Sequence, residues 1–537
     1  MSTATAVPRS GLHNLTRRQL AGTLTGLVLT LLLAALDQTI VGTSEPRIIA
    51  SLNGFDRYPW VTTAYLLTST IAVPIFAKLS DIYGRKWFFL TGNILFVTAS
   101  AFCGAAGEFR WFPGDGMSQL IAFRGLQGLG AGIAMGLLFT IIGDIFPPAQ
   151  RAKYQGLFAS VFGLASIFGP TLGGWITDQF SWRWTFYVNL PVGIIAATAI
   201  LVEFPYFRPH GIQRRIDWWG VFSLAGCLVP LLLALTWVTD YGWGSERVVS
   251  LLVVAAVMLV SFLLAETRAI EPVIPLSLFK NPIIAVATLA VFLLGVSMFG
   301  VIIYIPLFMQ GVLGVTATRS GSLLTPMMLG FVVASATAGN IIGRTGRYRI
   351  VALTGASLAT VGIFLMAAMD GNTAQWEVIR NMIIAGLGMG SVMPVYTLAV
   401  QNVAPPAHMG SATASSQFFR SIGGTVGVAT YGSILLRNYH ANFARNVPAG
   451  TPPRVLALLN NPLQLRQASL GKASGMQPAD LLLIRHLLGN VREALLAGLH
   501  HIFVIGSVLM VVAVAVNLFL REVPLRKKHH ASVAAEV

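Results

Sequence analysis

The stretch "IAFRGLQGLGAGIAMG" (121–136) carries Arg124 and, behind it, Gly128, Gly132 and Gly136 at intervals of four. Positions four apart share one face of a helix. Three glycines there leave a smooth stripe on which a second helix can settle at close range. The stretch also has the spacing G-x-G-x-G, but no strand precedes it and no dinucleotide-binding unit surrounds it, so a nucleotide reading is weak. Arg124 is the exception on this apolar helix. It lies about eight residues from the outer end, roughly 12 Å deep at the helical rise. A charge at that depth faces a cavity or a partner of opposite sign. The plain alternative is an arginine snorkelling to the interface.

The glycine run returns later in the chain. "GLGAG" at 128–132 matches "GLGMG" at 386–390, and "IFPPAQ" at 145–150 matches "VAPPAH" at 403–408, both 258 positions apart. "AKLSDIYGRK" (77–86) aligns with "GNIIGRTGRY" (339–348) at an offset of 262. Parallel repeats of six spans mark a transporter built from two halves.

Composition agrees. Of 537 residues, 55% are hydrophobic and 10% charged, and the mean hydropathy is +0.71. Soluble domains carry about a quarter charged residues, so the chain is an all-α integral membrane protein. The net charge of +16 falls in short basic clusters between apolar runs. Lipid headgroups and span orientation explain such clusters; no nucleic-acid partner is expected. Cys103 and Cys227 sit in apolar surroundings without metal-ligand spacing, and no metal or cofactor is expected.

A bilayer core needs about 20 apolar residues per helix. Runs of that kind lie near 20–42, 60–80, 87–107, 117–142, 153–177, 184–204, 216–238, 248–265, 283–309, 320–342, 350–369, 378–400, 409–436 and 499–520, fourteen in all. Residues 1–19 form an N-terminal tail, whose Arg9, Arg17 and Arg18 precede an uncleaved first span. Residues 20–204 form one six-helix bundle, 205–282 hold two extra spans, and 283–520 form the second bundle. Residues 521–537 form a C-terminal tail. Lys and Arg in the short loops (Lys78, Arg85, Lys86; Arg151, Lys153; Arg208, Arg214, Arg215; Arg268, Lys280; Arg344, Arg347, Arg349) place both tails in the cytoplasm. A long external loop is expected over 437–498, lying on the membrane surface as an amphipathic hairpin.

Several motifs carry a resemblance. "AKLSDIYGRKWFFL" (77–90) resembles the loop signature of the major facilitator superfamily, with Ala77 in place of its first glycine and Asp81, Gly84, Arg85 and Lys86 matching. The resemblance implies a cytoplasmic gate, for which Asp144 at the inner end of span 4 has the right depth to receive Arg85. "LDQTIV" (36–41) resembles the first-span signature of the fourteen-span drug:proton antiporters, and Arg124 their span-4 arginine. Asp37 and Arg124 are thereby implicated in proton coupling; their depths match. Glu45 departs from the family and reads either as a second acid for cations or as a residue at the outer mouth. "GPTLGGW" (169–175) resembles the span-5 antiporter signature. Pro170 would bend the span, and Gly169, Gly173 and Gly174 would pack it against the other half as a pivot.

"SWRWTFYVNLPVG" (181–193) resembles a signature of the same group. Its Trp182, Trp184 and Tyr187 suit an interface belt, and Arg183 and Asn189 would pin the connection between spans 5 and 6. On span 13, Arg420 needs a counter-charge, carbonyls or water, and Gln417 and Phe418 could line a cavity. Tyr304 and Met309 in "YIPLFMQ" suit an adaptable pocket, with ordinary core the favoured reading.

The resemblance implies the major facilitator fold, two six-helix bundles plus two extra spans around a central cavity. It implies proton-driven export of small hydrophobic, often cationic compounds across the cytoplasmic membrane, by a protein working as a monomer. A symporter or a lipid translocator on this fold is the alternative. The chain has no H-E-x-x-H, G-x-S-x-G or Walker A sequence, which argues against an enzyme and against ATP as driver.

Overall fold

Fourteen helical passes make up the described part of the protein. The computed structural model describes residues 15–110, 113–146, 148–206, 217–269, 272–404, 409–446 and 478–524. The first half holds α1 (Arg17–Ser51), α2 (Trp60–Tyr83), α3 (Arg85–Gly104), α4 (Gly116–Ile145), α5 (Pro148–Gln179), and α6 (Trp184–Tyr187) continuing into α7 (Asn189–Glu203) as one pass. Two helices follow, α8 (Trp218–Tyr241) and α9 (Glu246–Arg268). The second half holds α10 (Pro282–Leu307), α11 (Ala317–Thr345), α12 (Tyr348–Ala367), α13 (Gln375–Val403), α14 (Met409–Asn446) and α15 (Pro478–Leu518). The described residues contain no strand. The end of the molecule where α1 begins is called the tail end below, and the opposite one the far end.

Helix starts follow from capping side chains. Thr16 and Gln19 form a reciprocal capping box at α1, and Asp115, Asp217, Asn281 and Thr316 cap α4, α8, α10 and α11. Gly84 separates α2 from α3 at φ +103°, and its repeat counterpart Gly346 ends α11 at φ +73°. A side chain is strained in that region, which is why the loop signature holds glycine there.

Helix pairing in the first half recurs in the second. α4 lies between α2 and α3 as α13 lies between α11 and α12, and α1 meets α5 and α7 as α10 meets α14 and α15. The glycine run explains the first of these correspondences. A Cβ at Gly128 would stand 2.2 Å from the Tyr65 carbonyl of α2, and one at Gly130 2.5 Å from the Phe96 nitrogen of α3. At the matching positions, a Cβ on Gly386 would stand 2.3 Å from the Met327 carbonyl of α11, and one on Gly388 2.1 Å from the Ala359 nitrogen of α12. Alternate glycines thus clear two neighbours at once.

The halves meet along a seam where α5 faces α11, α2 faces α14 and α1 faces α10. α8 lies beside α2 and α14, and α9 packs on α8. Among the described residues, eleven helices are long and apolar enough to cross a membrane by length and composition alone.

The connection expected over 437–498 requires correction. α14 continues to Asn446 and α15 begins at Pro478, so both ends of that segment are helical extensions of the flanking spans. The leucine spacing of "ADLLLIRHLLGNVREALLAGL" (479–499) does predict helix, but as a surface hairpin, whereas the structure runs it unbroken into the last span. Residues 447–477, with the "PPRVLALLNNPLQLRQ" part of the expected hairpin, lie outside the described residues. So do Arg9, Arg208, Arg214 and Arg215 of the basic clusters.

Candidate functional site

Asp37 lies midway along α1 and is completely buried, as is Arg124 of α4 at 2% exposure. Arg124 Nη1 donates to Asp37 Oδ2 at 2.7 Å. The other carboxylate oxygen accepts from Gln127 Nε2 at 2.9 Å and from Asn189 Nδ2 at 3.2 Å. Ser100 Oγ accepts from Gln127 and Asn189 at 3.1 and 3.0 Å and donates to the Phe186 carbonyl at 2.9 Å. Four passes, α1, α3, α4 and α6–α7, therefore converge on one carboxylate.

The guanidinium has further holds. It donates to Gln127 Oε1 at 2.7 Å and to the Val61 carbonyl at 3.3 Å, and it lies 4.4 Å from the Tyr65 ring centroid. Buried charges persist only when paired and hydrogen-bonded, and these contacts meet that demand. Arg124 is therefore no snorkelling residue. Gln127 and Asn189 were not anticipated as partners of Asp37, nor Ser100 as the hydroxyl that holds them both. Arg183 does pin its connection, donating to the Gly104 and Ala106 carbonyls at 2.7 and 2.8 Å. Of the expected interface tryptophans, Trp184 is exposed and Trp182 is buried.

Glu45 stands two turns beyond Asp37 and is also completely buried, so it is not a residue of an open mouth. Thr62 Oγ1 reaches both its oxygens at 3.3 Å. Beyond it the halves are closed together by rings. Tyr58 stacks on Tyr304 at 5.8 Å between centroids, and Tyr304 meets Tyr431 edge-on at 6.3 Å. Tyr304 donates to the Val428 carbonyl at 2.9 Å. Met309 lies in a π-helical turn, Phe308–Leu313, fully buried. The next residue, Gln310, donates across the seam to the Thr43 carbonyl at 2.8 Å. Tyr304 and Met309 therefore belong to a closed far-end core.

The expected pivot divides its contacts. A Cβ at Gly169 would strike Thr39, and one at Gly173 the Ile40 carbonyl, both on α1 in the same half. Gly174 alone of the three faces the other half, where a Cβ would stand 2.2 Å from the Ala317 carbonyl. Pro170 lies inside α5, and its carbonyl abuts Gly321 of α11, where a Cβ would come within 2.0 Å. Thr171 and Thr325 hydroxyls add a cross-seam hydrogen bond of 2.8 Å.

At the tail end, Arg85 Nε donates to Asp144 Oδ2 at 2.9 Å and Nη1 to Ser80 Oγ at 2.7 Å. Lys86 donates to the Leu201 carbonyl at 2.8 Å. The Asp81 side chain lies outside the described residues. On α14, Gln417 is exposed, and Phe418 packs with Leu224 and Leu228 of α8. Arg420 makes no ion pair among the described residues, and its Nε is buried without a hydrogen-bond partner. Near the far end of α4, the Arg57 guanidinium beside Asp115 holds that carboxyl well below the usual carboxylate range.

Comparison with known proteins adds a frame to this geometry. The sequence profile described as Major Facilitator Superfamily matches residues 27–428. The chain is 38% identical over 524 residues to the "Multidrug transporter protein MdtP" of Bacillus subtilis (strain 168), with 94% of each protein covered. It is 35% identical over 499 residues to "Multidrug resistance protein 3" of the same organism, covering 92% of this chain and 94% of the relative. Among solved structures, a bacterial homolog of the human lysosomal transporter Spinster, in an inward-facing and unoccupied conformation, shares the fold at a TM-score of 0.64. That match has 16% identity and covers 95% of this chain and 100% of the other.

Proposed function

Because this chain belongs to the major facilitator superfamily, a family of multi-pass membrane transporters and not of enzymes, we propose that it is a proton-coupled antiporter exporting hydrophobic, cationic drugs or toxic compounds by alternating access. The observation that carries this reading is the buried Asp37 carboxylate with its one guanidinium and two amide donors. The names of the similar Bacillus proteins support drugs as the cargo. The basic loops support a cytoplasmic tail end in the cytoplasmic membrane.

A carboxylate so held is suited to exchange a proton for a pairing partner. When Asp37 takes a proton, Arg124 loses its ionic contact but keeps Gln127 Oε1, the Val61 carbonyl and the Tyr65 ring. Loading the proton therefore frees Asp37 without stranding a bare guanidinium in the core. Release of that proton on the tail side restores the ion pair. The cargo and the proton then cross in opposite directions as the seam opens at one end and closes at the other. Arg85, Asp144 and Lys86 would steady the tail-end gate.

The test is drug efflux and growth inhibition across a panel of cationic dyes and antibiotics, with native chain against Asp37→Asn. The asparagine variant is expected in the membrane in normal amount but without proton-coupled efflux. Full transport by that variant at pH 7 overturns the assignment. So does accumulation in inverted vesicles without counterflow of protons, which would make the protein a symporter or a lipid translocator.

A further inference from the structure

Glu45 is the second carboxyl buried on α1, and the coupling pair of Asp37 and Arg124 leaves it without a task. The two acids are held in opposite ways. Asp37 has a guanidinium and two amide donors. Glu45 has one hydroxyl, Thr62 Oγ1, at 3.3 Å from each of its oxygens. A threonine hydroxyl carries a single proton, and that separation is long for a hydrogen bond between oxygens. No cation pairs with Glu45 among the described residues, since Arg124 is engaged by Asp37 and Arg47 by Asp178. Three titratable groups face it. Arg124 of α4 acts from beyond ion-pair distance, and Tyr58, just before α2, and Tyr304 of α10 present their phenols. The other helices on α1, namely α5, α6, α7 and α11, add none among the described residues. An ionised carboxylate is not buried with so little support, so Glu45 carries its proton in this closed arrangement. The second half completes the enclosure. Tyr304 stacks on Tyr58, and Gln310 donates to the Thr43 carbonyl two residues before Glu45.

We propose that Glu45 is a second proton site, loaded from the far-side solution, and that the far end of the seam shuts only over its protonated form. This rests on the alternating access proposed above. With the far end open, Glu45 meets water and ionises at neutral pH as an ordinary carboxyl does. Closure brings Tyr304 and Gln310 over it, and only the neutral acid fits beneath them. An O–H bond therefore forms on the carboxylate with a proton from far-side water. When the far end reopens, that bond breaks and the proton returns to the same side. No proton crosses the membrane by this route, which separates the role of Glu45 from that of Asp37. The closed form binds one proton more than the open form, so acid favours closure and alkali favours opening. The closed-to-open ratio falls by up to about tenfold per pH unit above the ordinary glutamate value of about 4.3. An acidic far side thus shuts the gate under the same condition that loads Asp37.

The full chain in lipid nanodiscs is spin-labelled at Gln179→Cys, the far end of α5, and Asn372→Cys, just before α13. Both positions are exposed, and the buried Cys103 and Cys227 are changed to alanine. Double electron–electron resonance then follows the distance between the labels from pH 5 to pH 8. The chain with Glu45 intact is expected to lose its short-distance population as the pH rises. Glu45→Gln mimics the protonated acid and is expected to keep that population at every pH. Asp37→Asn is expected to retain the pH response. An infrared band of a buried protonated carboxyl is expected at pH 6 and should vanish in Glu45→Gln. Distances that do not move between pH 5 and pH 8, or a Glu45→Gln chain with the native response, overturn the proposal. So does an infrared band that survives Glu45→Gln, or a response lost in Asp37→Asn and kept in Glu45→Gln. A native short distance in Glu45→Gln at pH 5 shows that the variant is folded. Failure of antiport would appear in proton counterflow and not in these distances, so the two readings fail separately.

Discussion

Asp37 and Arg124 illustrate how a pair separated by 87 positions becomes one unit at the residue scale. Each is an intolerable charge alone in an apolar bundle, and removing one strands the other. Arg124→Ala should therefore lower stability by about 3–5 kcal/mol. Adding Asp37→Asn to it should recover much of that loss, because the second change removes the stranded charge. Thermal unfolding of the single and double variants in detergent checks this, and additive losses would contradict it. The pair was legible in sequence because two charges stood at equal depth in apolar runs. Gln127, Asn189 and Ser100 were harder to see, since neutral polar residues make no break in a hydropathy pattern. One signal was available for Gln127, which follows Arg124 by three positions and so shares its helix face. Glu45 stayed ambiguous for a related reason. Depth along a helix is readable from sequence, but whether the opposite half closes over it is not.

Helix ends divide what could and could not be read at the element scale. All fourteen passes were visible as apolar runs, and Gly84 announced the turn between α2 and α3. The far-end extension of α15 showed as helical leucine spacing but not as a continuation of the last span, because helical turns outside a membrane need no continuous apolar run. The start of α4 gives a measurable case. Asp115 caps it, accepting from the Ser118 nitrogen at 3.0 Å, and pairs with Arg57. Its folded-state carboxyl is held below the ordinary value by Arg57 first. The stability from this pair is therefore complete well above about pH 4, the ordinary aspartate value, and is lost as the pH falls through the lower folded value. Asp115→Asn retains the cap but not the charge. Because the pair is half exposed, the cost should stay within ~1 kcal/mol at pH 7. It should shrink as the pH is taken below about 4, as melting curves of the two chains across that range would reveal. A gap that widens on acidification would contradict the pairing.

The whole molecule is two similar halves joined edge to edge, and the far end of their seam is shut by Tyr58, Tyr304 and Tyr431. The proposed alternating access requires Tyr58 of the first half to part from Tyr304 of the second. A chain with Tyr58→Cys and Tyr304→Cys, bridged by a short cleavable thiol linker, should stop transporting and recover when the linker is cleaved. Continued efflux by the bridged chain would mean that the far end need not open. The two long helices of the second half have a separate consequence. α14 and α15 have 38 and 41 residues, on the order of 60 Å each at the helical rise, against a hydrocarbon core of about 30 Å. They pack on each other, with Leu435 of one beside Gly498 of the other. At that length each outruns the core by several turns. A nanobody raised to those far-end turns would give a landmark for image alignment, and its grip would report every tilt of the second half.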